Sequence, residues 1–141
     1  MAPSKNEYNP FKAMAVAAAR AAYDRKGESI VLWDVRENSI VADFLLLVSV
    51  TSPAHLEAVD AAVSDLLEES GLVLRHRDGK NSNVWRVLDY GGLLVHLMNT
   101  EARAFYALDK LHHETPKQRW LARGAGPDPV HRRREPPSRR A

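Results

Sequence analysis

The run Val41–Val50 (VADFLLLVSV) constrains the fold more than any other segment of the chain. Apolar residues fill nearly every position, whereas a strand with one wet face would alternate. Such a strand belongs inside a sheet with both faces covered. It runs into Thr51-Ser52-Pro53, where a hydroxyl caps a helix and proline takes the first turn. Leu56, Val59, Val63, Leu66 and Leu67 then recur at three- and four-residue intervals, the buried stripe of a helix that Ser70–Gly71 ends.

The remaining elements follow from local chemistry. Asn9–Pro10 starts a helix over the alanine-rich segment Phe11–Lys26, with Gly27 as a left-handed stop. Its alanine face is suited to close packing on a sheet. Ile30–Val35 reads as a strand, and Arg36–Ser39 as a polar connection. Leu72–His76 is a short third strand, and Arg77–Asn83 a turn-rich loop. Val84–Tyr90 and Leu93–Met98 form a hairpin around Gly91–Gly92. Thr100 caps a last helix whose Phe105, Leu108 and Leu111 make a core stripe. The order αββαβββα predicts an α/β fold, a mixed β-sheet of about five strands with flanking helices. Residues 9–113 form this domain, residues 1–8 a flexible N-terminus, and residues 114–141 a basic, Pro/Arg-rich disordered tail.

Length and charge narrow the function. A chain of 141 residues supports one core. No apolar run approaches the roughly 18 residues of a membrane span, and the N-terminus lacks a signal pattern, which places the protein in the cytoplasm. Cysteine is absent, excluding disulfides, thiol nucleophiles and thiolate metal sites. Residues 114–141 hold eight Lys/Arg against three Asp/Glu, while residues 1–113 hold twelve against fifteen. The body is therefore mildly acidic. It fits a basic protein partner better than bare nucleic acid.

A search for chemistry yields no catalytic, metal or cofactor set. Ser49 and Ser52 lie near His55 without a nucleophile elbow. His112 and His113 are neighbours whose side chains diverge by about 100° on a helix. His76 and His96 meet across strands at most, and no phosphate-binding glycine loop occurs. Asp34/Asp43 and Asp89/Asp109 have no spacing that pairs them. The aromatics are different: Trp85, Tyr90, Phe105 and Tyr106 fall in one strand–strand–helix unit. Phe105 and Tyr106 point about 100° apart, so one enters the core while the other faces out. Trp85 is either a core residue or an interface anchor.

These residues resemble the ribosomal silencing factor family (RsfS, or Iojap) over about Ala13 to Leu111. The family pattern W-x-x-x-D-x-G-D-x-x-V-H, then R-x-x-Y-x-L-x-x-L-W, reads here as Trp85, Asp89, Gly91, Val95 and His96, then Arg103, Tyr106, Leu108 and Leu111. Upstream, Ala42-Asp43 through Thr51, Ser52 and His55 resemble a second family segment. Gly92, Ala42, Val50 and His112 depart from the pattern, as does the long basic tail. The resemblance implies a nucleotidyltransferase-like fold without that superfold's active-site carboxylates, and often a homodimer. It also implies binding to the large ribosomal subunit through its fourteenth ribosomal protein, which blocks subunit joining and lowers translation. The partner-binding residues it implies are Trp85, Asp89, Tyr90, Met98, Arg103 and Tyr106. Two other readings compete: a degenerate nucleotidyltransferase-like enzyme, and an RNA-binding module whose basic tail touches ribosomal RNA.

Overall fold

Helix α1 (Pro10–Asp24) begins at the expected cap, the Asn9 side chain accepting the Phe11 N–H at 2.8 Å. Ala15, Ala18, Ala19 and Ala22 form its fully buried stripe, and side chains this small let the helix lie close against its neighbours. The computed structural model describes residues 9–121. The expectations for residues 1–8 and for residues 122–141 lie outside the described residues. Gly27 does not make the left-handed stop; Lys26 does, at φ 68°. Gly27 is required for close approach instead, since a Cβ there would sit 2.7 Å from Val48 Cγ1.

Five strands follow: β1 (Glu28–Asp34), β2 (Phe44–Val50), β3 (His76–Asp78), β4 (Trp85–Asp89) and β5 (Leu93–Asn99). Their order across the sheet is β1-β2-β5-β4-β3. Central β2 and β5 are parallel, and the other pairs are antiparallel. All seven residues of β2 are buried, as its unbroken apolar run demands. Helix α2 (Pro53–Glu69) is capped by Ser52, whose side chain accepts the His55 N–H. It packs beside α1 on one face, over Ile30, Leu32, Phe44, Leu46, Leu88, Val95 and Leu97. A smaller cluster on the opposite face holds Val31, Trp33, Leu45, Leu47 and Met98 under Ala102.

Three local expectations are corrected. The third strand is His76–Asp78 rather than Leu72–His76, because Leu72 and Leu74 pack into the core ahead of the ladder. Asn99, not Thr100, caps the last helix, accepting the Ala102 N–H at 2.7 Å. That helix also breaks in two, α3 (Thr100–Tyr106) and α4 (Leu108–Leu111), at Ala107, which is left-handed at φ 55°. The break undoes the predicted stripe: Phe105 is 81% and Leu111 72% exposed, leaving Leu108 to pack inward.

The ordered body also continues past His113. The Asp34 N–H donates to the Pro116 carbonyl at 2.8 Å, and the Gln118 N–H to the Leu32 carbonyl at 2.7 Å. This strap covers the open edge of β1, and β3, the opposite edge, is only three residues long. Trp120 anchors the strap. It is buried edge-on to Tyr23 at 5.7 Å, and its carbonyl accepts Arg20 Nε at 2.6 Å.

Candidate partner-binding surface

Strand parity assigns each hairpin residue to a face. Arg86, Leu88 and Tyr90 turn toward α1 and α2; Trp85, Val87 and Asp89 turn the other way. On β5, Leu94, His96 and Met98 share that second face, with Trp85 paired to Met98, Val87 to His96 and Asp89 to Leu94. α3 packs mainly against β2 and β5 and reaches β4 through Tyr106 on Trp85, so the β4 flank stays half-covered.

An aromatic group assembles along this margin. Trp85 lies 4.4 Å from Tyr106, centroid to centroid, at 47°, and Tyr106 meets Phe105 edge-on at 5.0 Å. Trp85 is half-buried, Tyr106 is 50% exposed, and Phe105 is almost free. The Trp85 Nε1–H donates to His96 Nδ1 at 3.0 Å. Burial lowers the His96 pKa to about 4, with His112 adding in the same direction, so the ring is a neutral acceptor.

Arg103 holds the helix that carries Tyr106. Its Nε and Nη2 donate to the Asp109 carboxylate at 2.8 and 2.9 Å, and its Nη1 donates to the Ser29 carbonyl and Ser49 Oγ. The guanidinium thereby ties α3 to α4 and to both β1 and β2. Hydrogen bonding from Arg103 keeps the Asp109 carboxyl below its ordinary range.

The six sequence-predicted residues therefore do not form one exposed set. Trp85 and Tyr106 come together at the surface. Met98 is fully buried beneath α3, and Tyr90 is buried on the opposite face, near Glu68 at 3.5 Å. Neither can offer area to a partner. Arg103 is spent on internal bonds, and Asp89 accepts the Gly91 N–H at 2.8 Å within the turn, where Gly91 is left-handed at φ 89°. Phe105, expected in the core stripe, is exposed, and Tyr106 is exposed beside it, so the two do not divide between core and surface.

Elsewhere, polar groups serve the fold. His55 Nδ1 accepts the Thr51 N–H at 2.9 Å, so its proton sits on Nε2, which donates to the Arg25 carbonyl at 2.9 Å. The histidine is a clasp between α2 and the end of α1. Buried Asp60 takes Arg86 and Arg77, and Arg86 also reaches Glu57 at 2.7 Å. Among the described residues, no group of three His, Asp or Glu is placed to hold a metal ion. No helix among them is long and apolar enough to cross a membrane.

The family described as "ribosomal silencing factor during starvation" matches residues 8–141. The chain belongs to the ribosomal silencing factor family. It is similar to the ribosomal silencing factor of Treponema pallidum, with 39% identity over 99 residues, 69% of this chain and 87% of that one. Similarity to the Bacillus subtilis silencing factor is 29% over 105 residues, 74% of this chain and 89% of that one. A crystal structure of a Chromobacterium violaceum protein shares the fold at TM-score 0.71, covering 84% of this chain and 97% of that chain at 23% identity. Two departures from the silencing-factor pattern have local partners here. Gly92 makes room for Phe11, whose ring would lie 2.2 Å from a Cβ at that position. His112 stacks on Trp33 at 4.9 Å, where the family pattern closes with tryptophan.

Proposed function

We propose that this protein, acting in the cytoplasm, silences translation by binding the large ribosomal subunit through its fourteenth ribosomal protein and blocking the small subunit sterically. The observation that carries the reading is the surface group of half-buried Trp85 with exposed Tyr106 and Phe105, beside a half-covered sheet margin. Aromatic side chains at the centre of a contact supply much of its binding energy. Single exposed apolar residues are ordinary, but a contiguous aromatic patch marks an interaction surface. The acidic balance of residues 1–113 favours a basic protein as the partner. Silencing then needs only occupancy and bulk, with no bond made or broken.

The test is sedimentation with separated ribosomal subunits. The protein should travel with large subunits and keep small subunits from joining them. A second reading, added contact to ribosomal RNA, is favoured by the eight Lys/Arg against three Asp/Glu in residues 114–141. It predicts steep salt dependence that a chain ending at Leu121 relieves.

A further inference from the structure

The silencing-factor reading makes Trp85 a partner contact but leaves open what holds the indole in place. On the sheet, Trp85 pairs with Met98, so His96 is its diagonal neighbour on the same face. The two rings lie 5.8 Å apart at 33°, with the Trp85 Nε1–H on His96 Nδ1 at 3.0 Å. Tyr106 packs on the same indole at 4.4 Å. Tryptophan has a single polar atom, a donor. Here that donor is satisfied from within the protein.

From this geometry we infer that His96 is a positioning residue: its Nδ1 fixes the Trp85 indole against Tyr106 and presents the ring, not the N–H, to the partner. The partner group facing Trp85 is then apolar or cationic, suited to a ring face, rather than a hydrogen-bond acceptor. The role requires one tautomer, with the proton on Nε2, because a proton on Nδ1 would oppose the indole N–H. A histidine kept merely to fill space has no such requirement.

The inference rests on the proposed function for its binding consequence, but not for its geometry, and the experiment separates the two. Nitrogen NMR of the wild-type full chain reads the His96 tautomer and the Trp85 indole N–H directly. The inference expects an Nε2–H imidazole and an indole proton protected from exchange. An Nδ1–H tautomer, or an unprotected indole proton, would overturn it. In His96→Leu the indole resonance should move, and affinity for purified large ribosomal subunits should fall roughly threefold to tenfold, the loss of one neutral hydrogen bond. His96→Asn, whose Oδ1 can replace the Nδ1 acceptor, should restore both. An unmoved indole resonance in His96→Leu, or no rescue by Asn, would refute the positioning role. If Trp85→Ala bound large subunits as well as wild type, the functional reading alone would fail, and the NMR results would still decide the role of His96.

Discussion

Replacing Trp120 with alanine tests whether the strap after His113 belongs to the folded body. The indole is 3% exposed and packs on Tyr23, and truncating a buried tryptophan costs about 3–5 kcal/mol. The loss has a ceiling. Once its anchor is gone the strap can let go, so the change cannot exceed the net free energy of docking residues 114–121. We therefore expect Trp120→Ala to lose about 3 kcal/mol and a chain ending at His113 to lose the same within about 1 kcal/mol. For a domain of this size the melting temperature should fall by about 10–20 °C. Urea unfolding followed by far-ultraviolet circular dichroism gives the free energy. Amide exchange locates it: the Asp34 and Gln118 N–H groups, which bond across the strap, should exchange about a hundredfold faster. A loss under about 0.5 kcal/mol with the Asp34 amide still protected would mean that Trp120 does not anchor the strap, since that is the range of an ordinary surface change.

Arg103→Ala should cost about 2 kcal/mol by leaving Asp109 and the Ser29 carbonyl unmet, and should loosen α3 enough to weaken large-subunit binding; calorimetry and co-sedimentation check the two effects separately. Stability should fall as pH drops from about 6.5 through about 4, because the unfolded chain protonates His96 near its ordinary pKa while the folded chain resists until about 4. The sign follows from a depressed folded-state pKa: the contribution is present above the unfolded value and lost on acidification. It amounts to about 3 kcal/mol at most, and His112, also lowered by burial, adds in the same sense. Denaturant titrations across that range should show a smaller slope in His96→Asn. Gly92→Asp, which restores the family's acidic residue, should destabilise by about 1–3 kcal/mol through collision with the Phe11 ring, and Phe11→Ala should relieve much of the loss in a double-mutant cycle.

Much of this fold was legible in the sequence where the signal was local. The Asn9 and Ser52 caps, the unbroken apolar β2 and the Gly91 turn each follow from one or two residues and their neighbours. Misreadings arose where a tertiary contact overrode such a signal. Ala107 adopts a left-handed conformation without being glycine or asparagine, so nothing in the sequence marked the break that exposes Phe105 and Leu111. Leu72 and Leu74 alternate as a strand would, yet they serve the core ahead of the ladder. The strap was hidden by Pro116 and by the proline- and arginine-rich residues that follow it in the sequence, although Trp120 was a usable hint of an anchor.

The candidate surface was legible in part. Trp85 and Tyr106 were named, but Tyr90 stands an odd number of residues from Trp85, and parity alone assigns it to the opposite face. Met98 does share the face of Trp85, being its direct strand partner, and only the position of α3 buries it. Arg103 illustrates a more general ambiguity. A charged residue in a family pattern can hold a partner or hold the fold, and its four internal bonds here indicate the fold.

In the proposed function an aromatic margin attaches this protein to the large subunit and thereby keeps the small subunit away. Its most direct test is subunit joining, followed by light scattering, with wild type and Trp85→Ala side by side. Wild type should suppress joining in proportion to its occupancy of large subunits, and folded Trp85→Ala should need about 5–150 times more protein, equivalent to roughly 1–3 kcal/mol of interface energy. Equal potency of the two proteins, or free joining on large subunits that carry the wild type, would overturn the proposed function.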